Sequence, residues 1–545
     1  MASYTPSQIY SSTRGGSSGV SFEEAVFKGL APDNGLFVPE IIPSLPSNWE
    51  KDWANLPFQS LVFEILSLFI SPTEIPHDSL RAIIRQSYSS FRAPSVTPTI
   101  TLDDKRKIHL LELFHGPTFA FKDVALQFLG NLLEFFLERR NQARAKARQG
   151  REHLTVIGAT SGDTGSAGIY ALRGKKDISI FIMFPTGKIS PVQEAQMTTV
   201  TDGNVHCLSV EGTFDDCQEF LKDLFTDHSL NAAHNITSIN SINVSRILAQ
   251  ISYYFVSYFS LIRSGTFDPS ADRLSVAVPT GNFGDILAGF IAKRMGLPIL
   301  RLIVSTNEND IIHRFLQTGA YEKPILLSTG SKEKNDHAGG VKETLSPAMD
   351  ILISSNFERL LWFMAYDVYS SPMDRTEIRR DIASLKVKEW QTALKSKGGF
   401  SVEQELLDAV RAEFSSERVS DEETLATIRD VYQWPYTDSS GSNHYVLDPH
   451  SAVGVAAALR SAEAAPGIHY VALSTAHPAK FSRAVERALV KEKAFRFNDI
   501  LPPQLSGLDG LPRRVIHVQK SEGLDGIRKI IMDKVKKETK ETASS

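Results

Sequence analysis

The chain has 545 residues, more than one hydrophobic core usually supports, so two or three domains are expected. A hydrophobic share of 42% and a charged share of 22% are those of an ordinary globular protein. Its 59 Lys and Arg against 63 Asp and Glu leave a net charge of -4, which excludes both a global basic excess for nucleic acid and an acidic solvating tail.

In chain order, the first thirty residues are polar and Ser-rich, with Glu23 and Glu24 and no apolar core of a secretory signal. Residues 1–100 read as a mainly helical N-terminal domain, with helix-compatible patterns at 22–30, 61–70 and 80–88 between Pro and Asn/Asp breaks. The longest apolar run, 61–70, is too short to span a membrane and contains Glu64. From about 108 the pattern changes to short apolar strands alternating with amphipathic helices. Strands are expected at 108–113, 155–157, 178–184, 204–210 and 274–278, and helices at 124–140, 214–224, 244–262 and 286–295. Such βαβ alternation implies a parallel sheet covered by helices. The basic stretch 139–151 reads as a solvated connection. Residues 330–341, rich in Lys, Asp and Gly, have the composition of a mobile surface loop. A charged helical excursion is expected at 374–432, after which 445–453 and a strand at 470–473 return to the sheet. A last strand at 514–518 precedes a helix that frays into a polar tail near Lys537. The catalytic region is thus 101–545, with a smaller, mobile subdomain at about 150–240. The only two cysteines, Cys207 and Cys217, supply neither a disulfide framework nor a full zinc site, so no metal is expected and a reducing cytoplasm fits.

Four segments carry chemistry-bearing residue types. In LELFHGPTFAFKDVALQ (111–127) a strand ends, a turn follows at Gly116 and Pro117, and Lys122 opens a helix. Partial desolvation and the helix N-terminus both disfavour an ammonium there and free the amine as a nucleophile. Taken alone, the segment reads more readily as a surface lysine ahead of a helix. In VIGATSGDTGSAGIY (156–170) a strand runs through Gly158, Thr160, Ser161, Gly162, Asp163 and Thr164 into a helix, a shape that offers N–H groups and hydroxyls to an anion. It is neither G-x-G-x-x-G nor a Walker loop, and a structural turn stands level with it. VPTGNFGDILAGF (278–290) repeats the strand–glycine–helix plan, with Gly281 and Gly284 permitting close backbone approach. Two such units suggest two anions, a cofactor phosphate and a substrate group. In LSTAHPAKF (473–481) a strand end presents Ser474 and Thr475, and His477 reads by default as a satisfied core or surface histidine.

These segments, with NSINVSRILAQ (240–250), YSSTRGG (10–16), GLAPDNGLFVP (29–39), LSPAMDILISSNFERLL (345–361) and DPHSAVG (448–454), resemble the threonine synthases, in the longer form seen in fungi and many bacteria. The resemblance covers nearly the whole chain and its motifs arrive in order. It implies a pyridoxal 5'-phosphate enzyme of the tryptophan-synthase-β type (fold type II), with two parallel-sheet α/β domains plus a helical N-terminal domain. It further implies a γ-elimination of phosphate from O-phospho-L-homoserine and addition of water to give L-threonine. On that resemblance the cofactor-carrying lysine falls on Lys122, the cofactor phosphate on Gly281, Asn282, Phe283, Gly284 and Asp285, and the hydroxyl facing the pyridine nitrogen on Thr475. The substrate-carboxylate loop falls on Thr160, Ser161, Gly162, Asp163 and Thr164, and the substrate phosphate on Asn240, Ser241 and Arg246. Two departures are visible: Asn34 stands where a glycine is common, and the 330–341 loop looks long. Partners are then a small-molecule substrate alone, with neither nucleic acid nor membrane, on a monomer or homodimer. A synthase-like phospholyase would keep every one of these motifs. A serine/threonine dehydratase of the same fold usually shows a basic residue after the lysine and a tetraglycine-like phosphate loop, where this chain has Asp123 and GNFGD. A non-catalytic descendant would be expected to have lost one of Lys122, the loops or Thr475.

Overall fold

The apolar runs near 108 and near 155 end up in different sheets. A computed structural model describes residues 8–160, 162–323, 340–436 and 444–544. The larger sheet has six strands in the order Phe414–Arg418, Ile299–Thr306, Leu274–Pro279, His469–Ser474, Ile108–Glu112, Thr99–Asp103. All pairings are parallel except the last, where Thr99–Asp103 runs antiparallel at the edge. The smaller sheet has five strands, all parallel, in the order Ile516–Val518, Val205–Val210, Ile178–Pro185, Leu154–Ala159, Ile236–Ser238. Every residue of Ile178–Pro185 and Val205–Val210 is buried, as expected of parallel strands covered on both faces.

The chain reaches the smaller sheet twice. After 150–240 has supplied four of its strands, Ile516–Val518 adds the fifth. The following helix, Gly523–Ser544, docks through buried Ile527, Ile531 and Val535 beside Cys217, Leu221 and Leu224. Spacing of four places these three on one stripe, and each fully buried aliphatic chain stabilises by about 1.5–3 kcal/mol. The helix therefore continues past Lys537, where a frayed tail was expected, and Glu538 beyond it turns back onto the sheet to bond His206 and Ser179.

Two further expectations change. The 445–453 stretch forms no strand. Asp448 accepts from the N–H groups of His450 and Ser451, Pro449 takes the first helical position, and the helix Pro449–Ala464 begins there, so an Asp-Pro start signal overrides the apolar run. The 374–432 excursion holds the helices Thr376–Lys397, Gln404–Glu413 and Asp421–Gln433, but between the last two Phe414–Arg418 forms the outer strand of the larger sheet. Most of the 330–341 loop lies outside the described residues.

The N-terminal region carries the helices Phe22–Lys28, Trp49–Trp53, Phe58–Ser67 and His77–Tyr88 and a small antiparallel pair, Tyr10–Ser12 with Phe37–Pro39. Its apolar faces join the same core as the long helices Lys122–Lys146 and Val244–Arg263. Trp49 packs on the rings of Phe255, Tyr258 and Phe259 at centroid distances of 5.7, 5.8 and 5.5 Å. Asn34 has φ 61°, a left-handed value that asparagine tolerates better than most residues, which accounts for its taking a glycine's place. The basic stretch at 139–151 closes the Lys122–Lys146 helix, with Arg139 and Arg140 paired to Glu23 and Arg151 to Asp177. Among the described residues, no helix is long and apolar enough to cross a membrane.

Candidate active site

Three of the four chemistry-bearing segments leave the carboxyl ends of three adjacent parallel strands. In the larger sheet Leu274–Pro279, His469–Ser474 and Ile108–Glu112 are neighbours, and they lead into Gly281–Asp285, Thr475 and Lys122 respectively. In the smaller sheet the neighbours Leu154–Ala159 and Ile236–Ser238 lead into the 160–164 loop and the Asn240–Arg246 segment. Ligands of open parallel sheets bind at that end of the strands.

Lys122 is the first residue of its helix and is partly buried, with Nζ 4.8 Å from the centre of the Phe121 ring. The peptide before it is pinned to the neighbouring strand end: Phe121 N–H donates to the Thr475 carbonyl at 2.8 Å. Desolvation lowers the Lys122 pKa below that of an ordinary lysine; Asp163 and Asp123 oppose the shift, while Lys480 and Arg246 add to it. Asp123 points away. Its carboxylate accepts from the N–H and hydroxyl of Thr118 at 2.8 and 2.7 Å, bracing the turn before the lysine, and burial lifts it to about 6. Thr475 is buried, and its N–H donates to Ser451 Oγ at 3.0 Å; Ser451 in turn donates to Asp448.

Gly281, Asn282, Phe283, Gly284 and Asp285 wrap the N-terminus of the helix Gly284–Met295. A Cβ on Gly281 would stand 3.0 Å from the Ala348 carbonyl oxygen, so the loop is closed behind by backbone. Phe283 takes φ 61° and buries its ring against Phe357 and Phe414. The first N–H groups of a helix lack internal partners and favour an anion. Asp285 contributes no side chain to this mouth. Its carboxylate is buried under Tyr253 and Tyr254, whose hydroxyls donate to Oδ1 at 2.5 and 3.0 Å, and desolvation raises it to about 6. Behind the loop, Asn356 Nδ2 donates to the Asn282 carbonyl at 2.9 Å, and Ser355 Oγ donates to Asn282 Oδ1 at 3.1 Å. Ser241 Oγ lies 3.4 Å from the same Ser355 hydroxyl, which brings the substrate-phosphate candidates alongside the cofactor-phosphate candidates.

On the opposite face, Thr160 is buried and its hydroxyl is spent on the loop itself, accepting from the N–H groups of Gly162 and Gly165 at 3.0 Å each. Gly162 has φ 153°, and a Cβ there would lie 2.5 Å from the Gln193 amide. Ser161 lies outside the described residues. Thr164 is partly buried in the first turn of the helix Asp163–Leu172. Asp163 does not face open solvent: Lys480 Nζ lies 2.6 Å from its Oδ1 and Gln193 Nε2 donates to the same atom at 2.9 Å. Burial would raise its carboxyl, but the charges of Lys480 and Lys122 and these hydrogen bonds hold it well below the usual carboxylate range.

Arg246 is 4% exposed in the first turn of Val244–Arg263. Nη1 donates to the Ile239 carbonyl at 2.9 Å and Nε has no partner. Among the described residues no carboxylate forms an ion pair with it, and desolvation pushes it down to about 10. Asn240 sits partly exposed at the turn before this helix, its N–H on Ser238 Oγ at 3.1 Å.

His477 behaves as its default reading expected. Its Nδ1 accepts from Ala479 N–H at 3.2 Å, its ring packs on Phe114 and Phe119, and burial lowers it to about 3, so it is a neutral cap. Three supports were missed from sequence: Lys480, the Ser355–Asn356 pair and Ser451. Each stands in a quoted motif, and the one available signal was a polar residue inside an otherwise apolar stretch.

Family comparison places three matches along the chain. Residues 9–88 match the family described as "Threonine synthase N terminus", 92–354 "Pyridoxal-phosphate dependent enzyme", and 451–531 "Threonine synthase, C-terminal". A threonine synthase of Schizosaccharomyces pombe is 51% identical over 96% of this chain and 97% of its own length. The crystal structure of threonine synthase from yeast superposes with a TM-score of 0.87 at 47% identity, covering 98% of this chain and 100% of that one. The pyridoxal-phosphate-bound threonine synthase of Brucella melitensis superposes with a TM-score of 0.81 at 38% identity, over 97% and 100%.

Proposed function

The chain belongs to the threonine synthase family, and from that premise we propose that it eliminates phosphate from O-phospho-L-homoserine and adds water to give L-threonine, with Lys122 carrying pyridoxal phosphate. The donor set fits that cofactor: a desolvated lysine amine, a glycine loop at a helix N-terminus whose Gly281 packs tightly on backbone behind it, and a neutral hydroxyl at Thr475. Gly281, Asn282, Phe283, Gly284 and Asp285 would hold the phosphate through backbone N–H groups, and Thr475 would face the pyridine nitrogen. When bound, the cofactor draws electrons from the substrate α-carbon and makes its proton removable.

The chain's own residues do the rest. Lys122, released by substrate, is the general base beside the α-carbon, and its lowered pKa keeps more of the amine neutral near pH 7 than an ordinary lysine would. The N–H groups of the 160–164 loop receive the substrate carboxylate. Arg246, with Asn240 and Ser241, holds the leaving phosphate, where a guanidinium can pair two oxygens at once. The observation that carries this reading is Arg246 itself: a buried cation with an unpartnered Nε and no carboxylate calls for an anion that arrives from outside the protein. The smaller sheet, taken as a mobile layer, closes on the substrate and excludes water from the reacting carbons. Two buried free thiols, Cys207 and Cys217, suit the cytoplasm, where we place the protein as a monomer or homodimer.

The test is Lys122→Ala. Reconstituted with cofactor, the variant is expected to lose both the borohydride-reducible visible band of the wild type and all measurable turnover. Wild-type turnover by this variant would overturn the assignment.

A further inference from the structure

Lys480 is 1% exposed, on the short turn Pro478–Lys480 just past the central strand of the larger sheet. Its ammonium bridges three parts of the molecule. Nζ donates to the Thr118 carbonyl at 2.8 Å, on the turn that leads into Lys122. It lies 2.6 Å from Oδ1 of Asp163, the first residue of the smaller layer's helix. Gln193, on a second helix of the smaller layer, donates to the same oxygen at 2.9 Å. An ammonium so far from water is costly unless it is paired, and this one is paired across the cleft.

The charged groups that act on Lys122 are Asp163, Lys480, Arg246 and Asp123. Asp123 is bound to Thr118, and Arg246 is a cation, so Asp163 is the one carboxylate that could turn Lys122 into a fixed ammonium. We propose that Lys480 is a positioning residue of the reaction: its ammonium claims Asp163, ties the base of the 160–164 loop to the larger sheet, and leaves Lys122 without a carboxylate of its own. The inference rests on Lys122 being the reactive amine. It also gives Asp163 a different task from its loop neighbours, since its side chain is occupied by protein and only its backbone faces a ligand. The signs of the electrostatic contributions agree: Asp163 raises the Lys122 pKa, and Lys480 lowers it both directly and by neutralising Asp163.

The test reads the lysine and not the turnover. In the full-length protein freed of cofactor, the rate of acetylation of Lys122 by acetic anhydride is followed by peptide mass spectrometry from pH 6 to pH 10, chosen to bracket the lysine range. K480M is expected to slow labelling of Lys122 roughly tenfold at a fixed pH below the midpoint, because one lost neighbouring charge commonly moves a pKa by about a unit or more. D163N is expected to speed it, and the double variant K480M/D163N to return it near the wild-type rate. A purely structural Lys480 would lower the melting temperature and leave these rates where they were. Wild-type labelling in K480M, or slowed labelling that the double variant does not restore, would overturn the proposal. Should K480M not fold, D163N decides alone: unchanged or slower labelling overturns it. Because the Lys122→Ala test reads turnover, a wrong role for Lys480 remains distinguishable from a wrong role for Lys122.

Discussion

Arg246 is buried in the first turn of its helix, with Nη1 on the Ile239 carbonyl and, among the described residues, no partner for Nε. Losing a charge-assisted pair to a substrate phosphate costs about 1.5–3 kcal/mol net, which is roughly a 10- to 150-fold fall in kcat/KM. We therefore expect Arg246→Gln to lower kcat/KM for O-phosphohomoserine by that factor while the cofactor band and cofactor affinity hold. The melting temperature should not fall, since the substitution removes an uncompensated buried cation and breaks no ion pair among the described residues. A bleached band or a lower melting temperature with kcat/KM intact would contradict the phosphate role. At this scale Lys122 was not legible from its own segment, which reads more readily as a surface lysine ahead of a helix; the resemblance to the threonine synthases singled it out. Lys480 was not legible. Nothing in LSTAHPAKF says that its lysine is buried, and its partner Asp163 lies in a motif far along the chain that only folding brings within 2.6 Å. Asp285 was legible in position but not in direction, because the Tyr253 and Tyr254 hydroxyls that capture its carboxylate come from another helix.

The elements explain why the site is where it is. Five strand ends, three from one sheet and two from the other, deliver the candidate residues, and each delivery is a turn into a helix N-terminus or a short capped segment. The outer face of the smaller sheet has its own core, sealed by the C-terminal helix. We propose that a layer with a core of its own moves as a unit. Saturating the cofactor-loaded protein with a phosphonate analogue of the substrate should slow hydrogen exchange across 155–225. Unchanged exchange at full occupancy would rule out closure of this layer. The strands with continuous apolar runs, such as Ile178–Pro185 and Leu274–Pro279, were plain in the sequence. Several that were missed are short or polar: Ile236–Ser238 has three residues, and Phe414–Arg418 is a half-exposed edge strand reading FSSER, whose order comes from its neighbour and not from its own pattern; Ile299–Thr306, eight residues reading ILRLIVST and mostly buried, was missed although its own pattern is apolar.

The molecule as a whole carries a charge of -4 yet brings Lys480 and Arg246 near Lys122, against Asp163 and Asp123. That balance suits a substrate bearing both a carboxylate and a phosphate. The division into two sheets was implied only by the family resemblance, whereas a parallel sheet covered by helices was readable from the βαβ alternation. That the N-terminal helices share a core with the catalytic helices was not, because the packing of Trp49 on Phe255, Tyr258 and Phe259 joins segments that the sequence keeps some two hundred residues apart. A synthase and a phospholyase need the same amine, loops and guanidinium; what differs is whether water is added before the product leaves. The deciding measurement supplies O-phospho-L-homoserine to the cofactor-loaded protein and assays phosphate, L-threonine and 2-oxobutanoate in the same samples. The account predicts phosphate and threonine in equal amounts throughout the time course. Phosphate accompanied by 2-oxobutanoate and ammonia, with no threonine, would contradict it.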